Sequence, residues 1–175
     1  MSESLENFTN IVKEDIKEAK TLFFSEAFKE EYLKDRREEK ELYHQLLLGR
    51  NRNQILEEFL LSSGQKKPVL LSAAKTIYQA TIMNLDEPLE IKVKREGWGY
   101  LVGRIKSDGT FLSLHKNTFQ AEDFEDGTLT IYADMKTIPK DGDIDHLIIQ
   151  TVYQTLQIEV VYKEPVSYTH LRAHE

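Results

Sequence analysis

The chain contains no cysteine among its 175 residues. Disulfides, zinc–thiolate centres, iron–sulfur clusters and thiol catalysis are therefore excluded within it. It also lacks any run that approaches the roughly 20 apolar residues of a membrane span. Residues 1–20 are studded with Glu, Asp and Lys and hold no apolar segment typical of a secretory signal. These absences lead us to expect a cytoplasmic protein that does not enter a membrane.

The chain also lacks an excess of basic residues. It has 23 Lys and Arg against 30 Asp and Glu, which gives a net charge of −7. Nucleic-acid affinity comes mainly from Lys and Arg at phosphates, so we expect no nucleic-acid partner and no docking on anionic lipid. The composition is 40% hydrophobic and 30% charged, which is typical of a folded globular protein.

The hydrophobic period changes at one place, residues 64–68. Before it, apolar residues recur every three or four positions, which predicts three to five short amphipathic helices. Ser25 is expected to cap a helix over residues 26–33, and Gly49 to end the following helix. Asn51 or Asn53 is expected to begin the last helix, which Gly64 ends. The apolar stripe comprises Ile16, Ala19, Phe23, Phe24, Phe28, Tyr32, Leu33, Leu42, Tyr43, Leu46, Leu47, Ile55, Leu56, Phe59 and Leu60.

After residue 68 the apolar residues alternate with polar ones, which is typical of an antiparallel sheet covered on one face. Asp-Gly pairs at 108–109, 126–127 and 141–142 supply turns between the strands. The last two strands are expected to form a hairpin with its turn at residues 153–155. Predicted strands cover residues 69–71, 77–83, 89–94, 100–105, 111–114, 128–133, 146–153 and 156–162. The fold class is therefore α+β, with a helical unit over 4–63 and an antiparallel immunoglobulin-like β-sandwich over 68–163.

Three acidic residues, Asp141, Asp143 and Asp145, have the D-x-D-x-D spacing that opens a calcium loop. An EF-hand also needs Gly at the sixth position and Glu at the twelfth, where this chain has His146 and Val152. We therefore predict a solvated acidic turn rather than a calcium site.

A second acidic cluster lies at residues 122–126. A general acid–base pair needs two carboxylates placed across a pocket, and carboxylates this close in a loop more often keep it soluble. The histidines do not predict a catalytic or metal site either. Three of them are scattered over different elements, and the pair at 170 and 174 lacks the Glu that follows the first His in a zinc protease. The residues concerned are Glu122, Asp123, Glu125, Asp126, His44, His115, His146, His170 and His174.

The most distinctive local string is Gly97-Trp98-Gly99-Tyr100. One interpretation is an aromatic binding platform of Trp98, Tyr100 and Tyr132, as in a carbohydrate-binding module. The interpretation we favour is a Trp packed over the sandwich core or the helix–sheet junction, with glycines that allow close backbone approach. No nucleophile elbow, Walker loop or dinucleotide fingerprint is present, so no catalytic residue, metal or cofactor is predicted.

Residues 166–175, VSYTHLRAHE, add no strand period and follow Pro165. They resemble a translated sequencing adapter that is found on unrelated open reading frames. We therefore expect an unstructured, artefactual tail and a parent protein that continues beyond this point.

The strings KEDIKEAKTLFFSEAF, QILEEFLLSSGQKKPV, VKREGWGYLVGRI and FLSLHKNTFQAEDF resemble segments of an uncharacterised family of large bacterial multidomain proteins, over most of residues 10–163. The resemblance implies immunoglobulin-like sandwiches near the N-terminus, helical repeats later and no catalytic residues to carry over. We predict a non-catalytic structural or protein-interaction module, a scaffold whose partners are proteins or adjacent domains of its parent chain. The alternatives are a carbohydrate-binding module that uses exposed aromatics and a hydrolase that uses acidic residues.

Overall fold

A computed structural model describes residues 4–165, in which five α-helices precede nine β-strands. The predicted tail and the histidines at 170 and 174 lie outside the described residues. The chain forms two compact units. One ends at Val69 and also includes Gly97–Tyr100, and the other comprises Leu70–Glu96 and the chain from Leu101 onward.

The helical unit contains α1 (Leu5–Glu14), α2 (Ile16–Phe23), α3 (Phe28–Tyr32), α4 (Arg37–Leu46) and α5 (Arg52–Ser62). Each helix is too short to be stable alone and buries one face against the others. Among residues 4–165, no helix is long and apolar enough to cross a membrane. The buried core is rich in aromatic rings in edge-to-face contact, and its largest members are Phe8, Phe23, Phe28, Tyr32, Tyr43 and Phe59.

Both predicted ends of α5 are confirmed. The Asn51 side chain accepts a hydrogen bond from the N–H of Gln54, which satisfies one of the free donors of the first turn. At the other end Gly64 has φ +78°, and the next residue, Gln65, donates its N–H to the Leu60 carbonyl at 2.8 Å. This is the Schellman arrangement, which glycine favours because φ is positive there.

The predicted roles of Ser25 and Gly49 are wrong. Helix α3 begins at Phe28 after Ala27, and the Ser25 hydroxyl instead donates backward to the Leu22 carbonyl at 2.6 Å. Helix α4 ends at Leu46, and Gly49 is not among the glycines with positive φ. Short polar side chains bond to either neighbouring turn, so a serine between two helices does not reveal which one it serves.

The β unit contains β1 (Leu70–Ala73), β2 (Ile77–Ala80), β3 (Leu89–Glu96), β4 (Val102–Ser107), β5 (Leu112–Leu114), β6 (Thr118–Gln120), β7 (Thr128–Met135), β8 (Ile144–Gln150) and β9 (Thr155–Tyr162). One sheet has the order β1-β3-β7-β5 and the other β2-β9-β8-β4-β6. Alternate residues along the strands are buried in the core of this immunoglobulin-like sandwich, among them Ile91, Val93, Leu129, Ile131, Leu147, Ile149, Ile158 and Val160. The α+β class with an immunoglobulin-like sandwich is therefore confirmed.

The Asp126-Gly127 pair forms the tight turn predicted for it. Both residues have positive φ, +50° and +76°. Glu125 and Thr128 exchange two backbone hydrogen bonds across the turn, at 2.8 and 2.9 Å. Two consecutive positive φ values match the type I′ geometry of two-residue hairpins, for which Asp-Gly is a preferred sequence.

Several details differ from the predicted antiparallel sandwich. The chain passes from one sheet to the other after Ala73, so that β2 runs parallel to β9 at the edge of the second sheet. Residues Ile82–Leu85 form a 3₁₀ helix rather than the end of a strand. The final turn lies between Gln150 and Thr155, and β6 was not predicted. Strand β6 has only three residues, too few for alternation to be recognisable.

Candidate functional site

The segment Gly97–Tyr100, between β3 and β4, is part of the helical unit. The Trp98 ring is half buried and packs against the aromatic core of the helical unit. Two ammonium groups approach the ring, the Nζ atoms of Lys66 at 4.4 Å and Lys13 at 5.1 Å from its centroid. The ring therefore takes part in cation–π contacts within its own unit.

A buried ion pair fixes the backbone of this segment. The side chains of Glu57 and Lys66 are 3% and 0% exposed and form a salt bridge. The Lys66 Nζ also donates to the Trp98 carbonyl at 2.6 Å. Gly99 has φ +97°, and a Cβ there would lie 2.8 Å from the Lys66 Nζ. Gly99 thus allows a close backbone approach to a buried cation, which is a structural use of the motif.

The other aromatic residues are placed differently. Tyr100 is partly exposed, and its hydroxyl lies 3.4 Å from the Asn51 Nδ2 within the helical unit. Tyr132 belongs to β7 and is 40% exposed. The sequence pattern did not show which of the rings of Trp98, Tyr100 and Tyr132 would be buried, because the burial of an isolated aromatic depends on residues far away in the chain.

Asp145, the third residue of the predicted calcium spacing, is fully buried, so the expected solvated turn is wrong at this position. Its Oδ1 accepts from the N–H of Asp108 at 3.1 Å. Its Oδ2 accepts from the N–H groups of Phe111 and Leu112, both at 3.0 Å. A carboxylate with three backbone donors is well satisfied in the interior and holds the connection between β4 and β5.

Of the first two aspartates of the spacing, Asp141 is exposed and Asp143 is half-buried, and both accept hydrogen bonds from the nearby backbone. Asp141 accepts from the N–H of Glu164 at 2.9 Å, and Asp143 from the N–H of Lys140 at 3.0 Å. Over residues 4–165, no group of three or more His, Asp or Glu side chains could hold a metal ion. The three aspartates therefore serve three separate loop contacts.

Two histidines form pairs with carboxylates at the surface of the β unit. His146 on β8 places Nδ1 2.7 Å from the Asp108 Oδ2, and Nε2 3.7 Å from the Oε1 of its cross-strand neighbour Glu159. His115 places Nε2 2.9 Å from the Asp134 Oδ2. The sequence did not predict these pairs, because their members are 13 to 38 residues apart.

The β unit also holds a cleft beside β7, with a volume of about 470 Å³. Tyr132 contributes one wall, and its ring stacks on that of His115 with centroids 5.9 Å apart. Three of the four residues of the acidic cluster, Asp123, Glu125 and Asp126, line this same space. The sequence predicted only a loop kept soluble by these carboxylates. The polar lining consists of Lys92, His115, Lys116, Thr118, Asp123, Glu125, Asp126, Thr128, Thr130 and Tyr132. We call this space the β7 cleft.

Comparison with known proteins gives a family but no established activity. The model of a family of unknown function, DUF5717 N-terminal, matches residues 2–174. No curated protein matches the chain.

Solved structures resemble the chain only weakly. Domains 4 and 5 of the S-layer protein SbsC are 11% identical, with a TM-score of 0.38 over 54% of this chain and 51% of that one. The E. coli chaperone DraB is 8% identical, with a TM-score of 0.43 over 55% and 56% of the two chains. The apo-form CBD1 domain of Calx is 11% identical, with a TM-score of 0.38 over 55% and 99%. The match to the first two structures spans about half of each, and nothing about function follows from it.

Proposed function

Because the chain belongs to the N-terminal family of unknown function DUF5717, we propose that it is a non-catalytic structural or protein-interaction module of a larger bacterial protein. The family description itself names an N-terminal part, which supports a longer parent chain. As partners we propose proteins or adjoining domains of that parent, in the cytoplasm, with neither nucleic acid nor membrane.

One observation carries the proposal, namely the role of the buried acidic and basic side chains. Among the described residues, the buried charged side chains are Glu57, Lys66 and Asp145. Glu57 and Lys66 hold the backbone at Trp98, and Asp145 holds the connection between β4 and β5. None of the three lines the β7 cleft. Catalytic carboxylates must face the substrate, so these groups serve the architecture.

Crosslinking tests the module directly in the parent protein. Many lysines of this chain are exposed, including Lys17, Lys67 and Lys106. An amine-reactive crosslinker analysed by mass spectrometry is expected to join such lysines to adjoining domains or to a partner protein. Crosslinks confined to this chain would contradict the proposal.

The hydrolase alternative is tested separately with chromogenic ester, glycoside and peptide substrates. The chain is expected to give no turnover above buffer. Turnover that is abolished by Asp123→Asn together with Glu125→Gln would overturn the non-catalytic assignment, because these carboxylates line the β7 cleft.

The carbohydrate-binding alternative now depends on Tyr132 rather than on Trp98, the ring in the most distinctive string of the sequence. Trp98 is half buried against the helical core and has ammonium groups near its ring. Tyr132 lies in a cleft with polar neighbours. This alternative therefore rests on Tyr132.

A further inference from the structure

We propose that the β7 cleft binds a neutral saccharide, with the Tyr132 ring as its stacking surface and the backbone of Thr130 as a hydrogen-bonding floor. This goes beyond the module proposed above, since a non-catalytic module can exist with or without a sugar site. Three observations support it, concerning the strand edge, the chemistry of the walls and the size of the opening.

The edge of β7 facing the cleft is open at one residue. In an antiparallel strand, alternate residues direct both backbone polar groups to the same side. Thr128 bonds with Glu125, and the Tyr132 carbonyl accepts from the N–H of His115, so both residues direct these groups away from β3. By the same alternation, the N–H and C=O of Thr130 point to that side. Within residues 4–165, no hydrogen bond described for Thr130 satisfies them there.

This opening follows from the topology. Strand β5 pairs with β7 only over Leu112–Leu114, and the chain then crosses to the other sheet to form β6. From Thr128 to Tyr132, no strand formed by the described residues 4–165 pairs with β7 on this side. A backbone donor and acceptor are thus left side by side at the floor of a cleft, one pair that a ligand with hydroxyl groups can satisfy.

The walls carry donors, acceptors and the rings of Tyr132, His115 and Phe119. Lys92 Nζ lies 3.4 Å from the Thr130 Oγ1, and Lys116 Nζ lies 3.5 Å from an Asp123 oxygen. Positive and negative side chains face the same space, so neither an anionic nor a cationic ligand is favoured over a neutral one. Sugar hydroxyls both donate and accept, and the apolar face of a sugar ring packs on an aromatic ring. A neutral saccharide therefore matches this lining.

The size of the opening favours a compact ligand over a peptide strand. Among the cleft-facing residues of β7 within 4–165, only Thr130 has neither backbone group bonded, since both groups of Thr128 and the Tyr132 carbonyl already have partners. A peptide that extended the sheet would need a run of free backbone groups, and this edge offers one residue. The volume of about 470 Å³ lies within the range of roughly 300–1,000 Å³ typical of small-molecule sites.

The proposal is tested by nuclear magnetic resonance on the ¹⁵N-labelled chain. The probes are glucose, galactose, mannose, N-acetylglucosamine and the disaccharides of each, added separately. At least one is expected to cause saturable amide shifts at Thr130, Tyr132 and His115. Glycerol at matched concentration is the control for a general polyol effect and is expected to cause none. The absence of saturable shifts with all these sugars would overturn the proposal, as would equal shifts with glycerol.

Variants separate ring stacking from other binding. Tyr132→Ala is expected to lower the affinity for the sugar about tenfold, because the stacking surface is lost. Tyr100→Ala, the matched control in the helical unit, is expected to leave the affinity unchanged. Tyr132→Thr retains a strand-forming residue and replaces the alanine variant if that does not fold. Unchanged affinity in the folded Tyr132 variant, or equal loss in the Tyr100 variant, would contradict the site.

Discussion

Lys66→Met tests the account of the Gly97–Tyr100 segment most severely. The substitution preserves the length and much of the volume of the side chain, and it removes the charge. Glu57, which is 3% exposed, is then left in the interior without its cation. Removing one partner of a buried ion pair costs about 3–5 kcal/mol, because the remaining charge loses its counter-ion without regaining the solvation of water. We expect the free energy of unfolding of the helical unit to fall by that amount.

A double variant shows whether charge is the cause. Glu57→Leu combined with Lys66→Met removes both charges and retains most of the packing. Its remaining defect is the Trp98 carbonyl, which loses the donor now 2.6 Å away. An unsatisfied buried acceptor costs about 1–3 kcal/mol. The double variant is therefore expected to be more stable than Lys66→Met alone, although it carries one more substitution.

The assay is urea unfolding followed by tryptophan fluorescence. Trp98 is the single tryptophan of the chain and packs against the helical core, so its emission reports on this unit. Far-UV circular dichroism is recorded in parallel to follow the helices. Lys67→Met is the matched control, because Lys67 is the exposed neighbour of Lys66 and its loss should change stability by less than about 0.5 kcal/mol.

Two results would refute the reasoning. One is a loss below about 1 kcal/mol for Lys66→Met, which would mean that the pair is solvated rather than buried. The other is a double variant as unstable as the sum of its single substitutions, which would mean that the side chains contribute independently.

Three further predictions concern other parts of the chain. Gly99→Ala should destabilise the helical unit by more than Gly64→Ala. Both glycines have positive φ, but only at Gly99 would a Cβ lie 2.8 Å from the Lys66 Nζ. In urea unfolding we expect a loss of about 1–2 kcal/mol for Gly64→Ala and a larger loss for Gly99→Ala. Asp145→Asn should lower the free energy of unfolding of the β unit by about 3 kcal/mol in thermal unfolding. Both carboxylate oxygens accept N–H groups, so the new amide nitrogen would face a donor. A loss below about 1 kcal/mol would contradict this. Burial raises the pKa of the Tyr43 hydroxyl above its ordinary value of 10.0, so the folded state retains this proton more strongly than the unfolded state. The resulting stability is complete below pH 10 and is lost as the pH rises through the folded pKa, so the stability advantage of the native chain over Tyr43→Phe should shrink above pH 10; an unchanged difference would contradict the assignment.

The sequence predicted those features that depend on neighbouring residues. Asn51 caps α5 through Gln54, three positions away, and Gly64 ends the same helix through bonds within one turn. Asp126-Gly127 forms its turn through its own backbone torsions. Such features need only local geometry, which composition and spacing encode. Ser25 shows the limit, because its hydroxyl could serve the turn before it or the turn after it.

The candidate sites were much less predictable. Glu57 and Lys66 are nine positions apart, but Trp98, whose carbonyl Lys66 holds, follows 32 positions later. Asp145 reaches backbone donors 33 to 37 positions earlier in the chain. The spacing of the three aspartates suggested a shared site, and their actual partners are separate. Contacts between residues this far apart in the sequence form only when the chain is folded.

By itself the sequence determined the two kinds of secondary structure, the change of period near residue 64, the tight turn at Asp126-Gly127 and the absence of cysteine chemistry. Only the tertiary structure decided that β1 and β2 join different sheets, that Gly97–Tyr100 belongs to the helical unit and that β7 borders an open cleft. The physical reason is that backbone torsions and burial periods are local, whereas ion pairs, strand neighbours and clefts form between residues that approach only when the chain is folded.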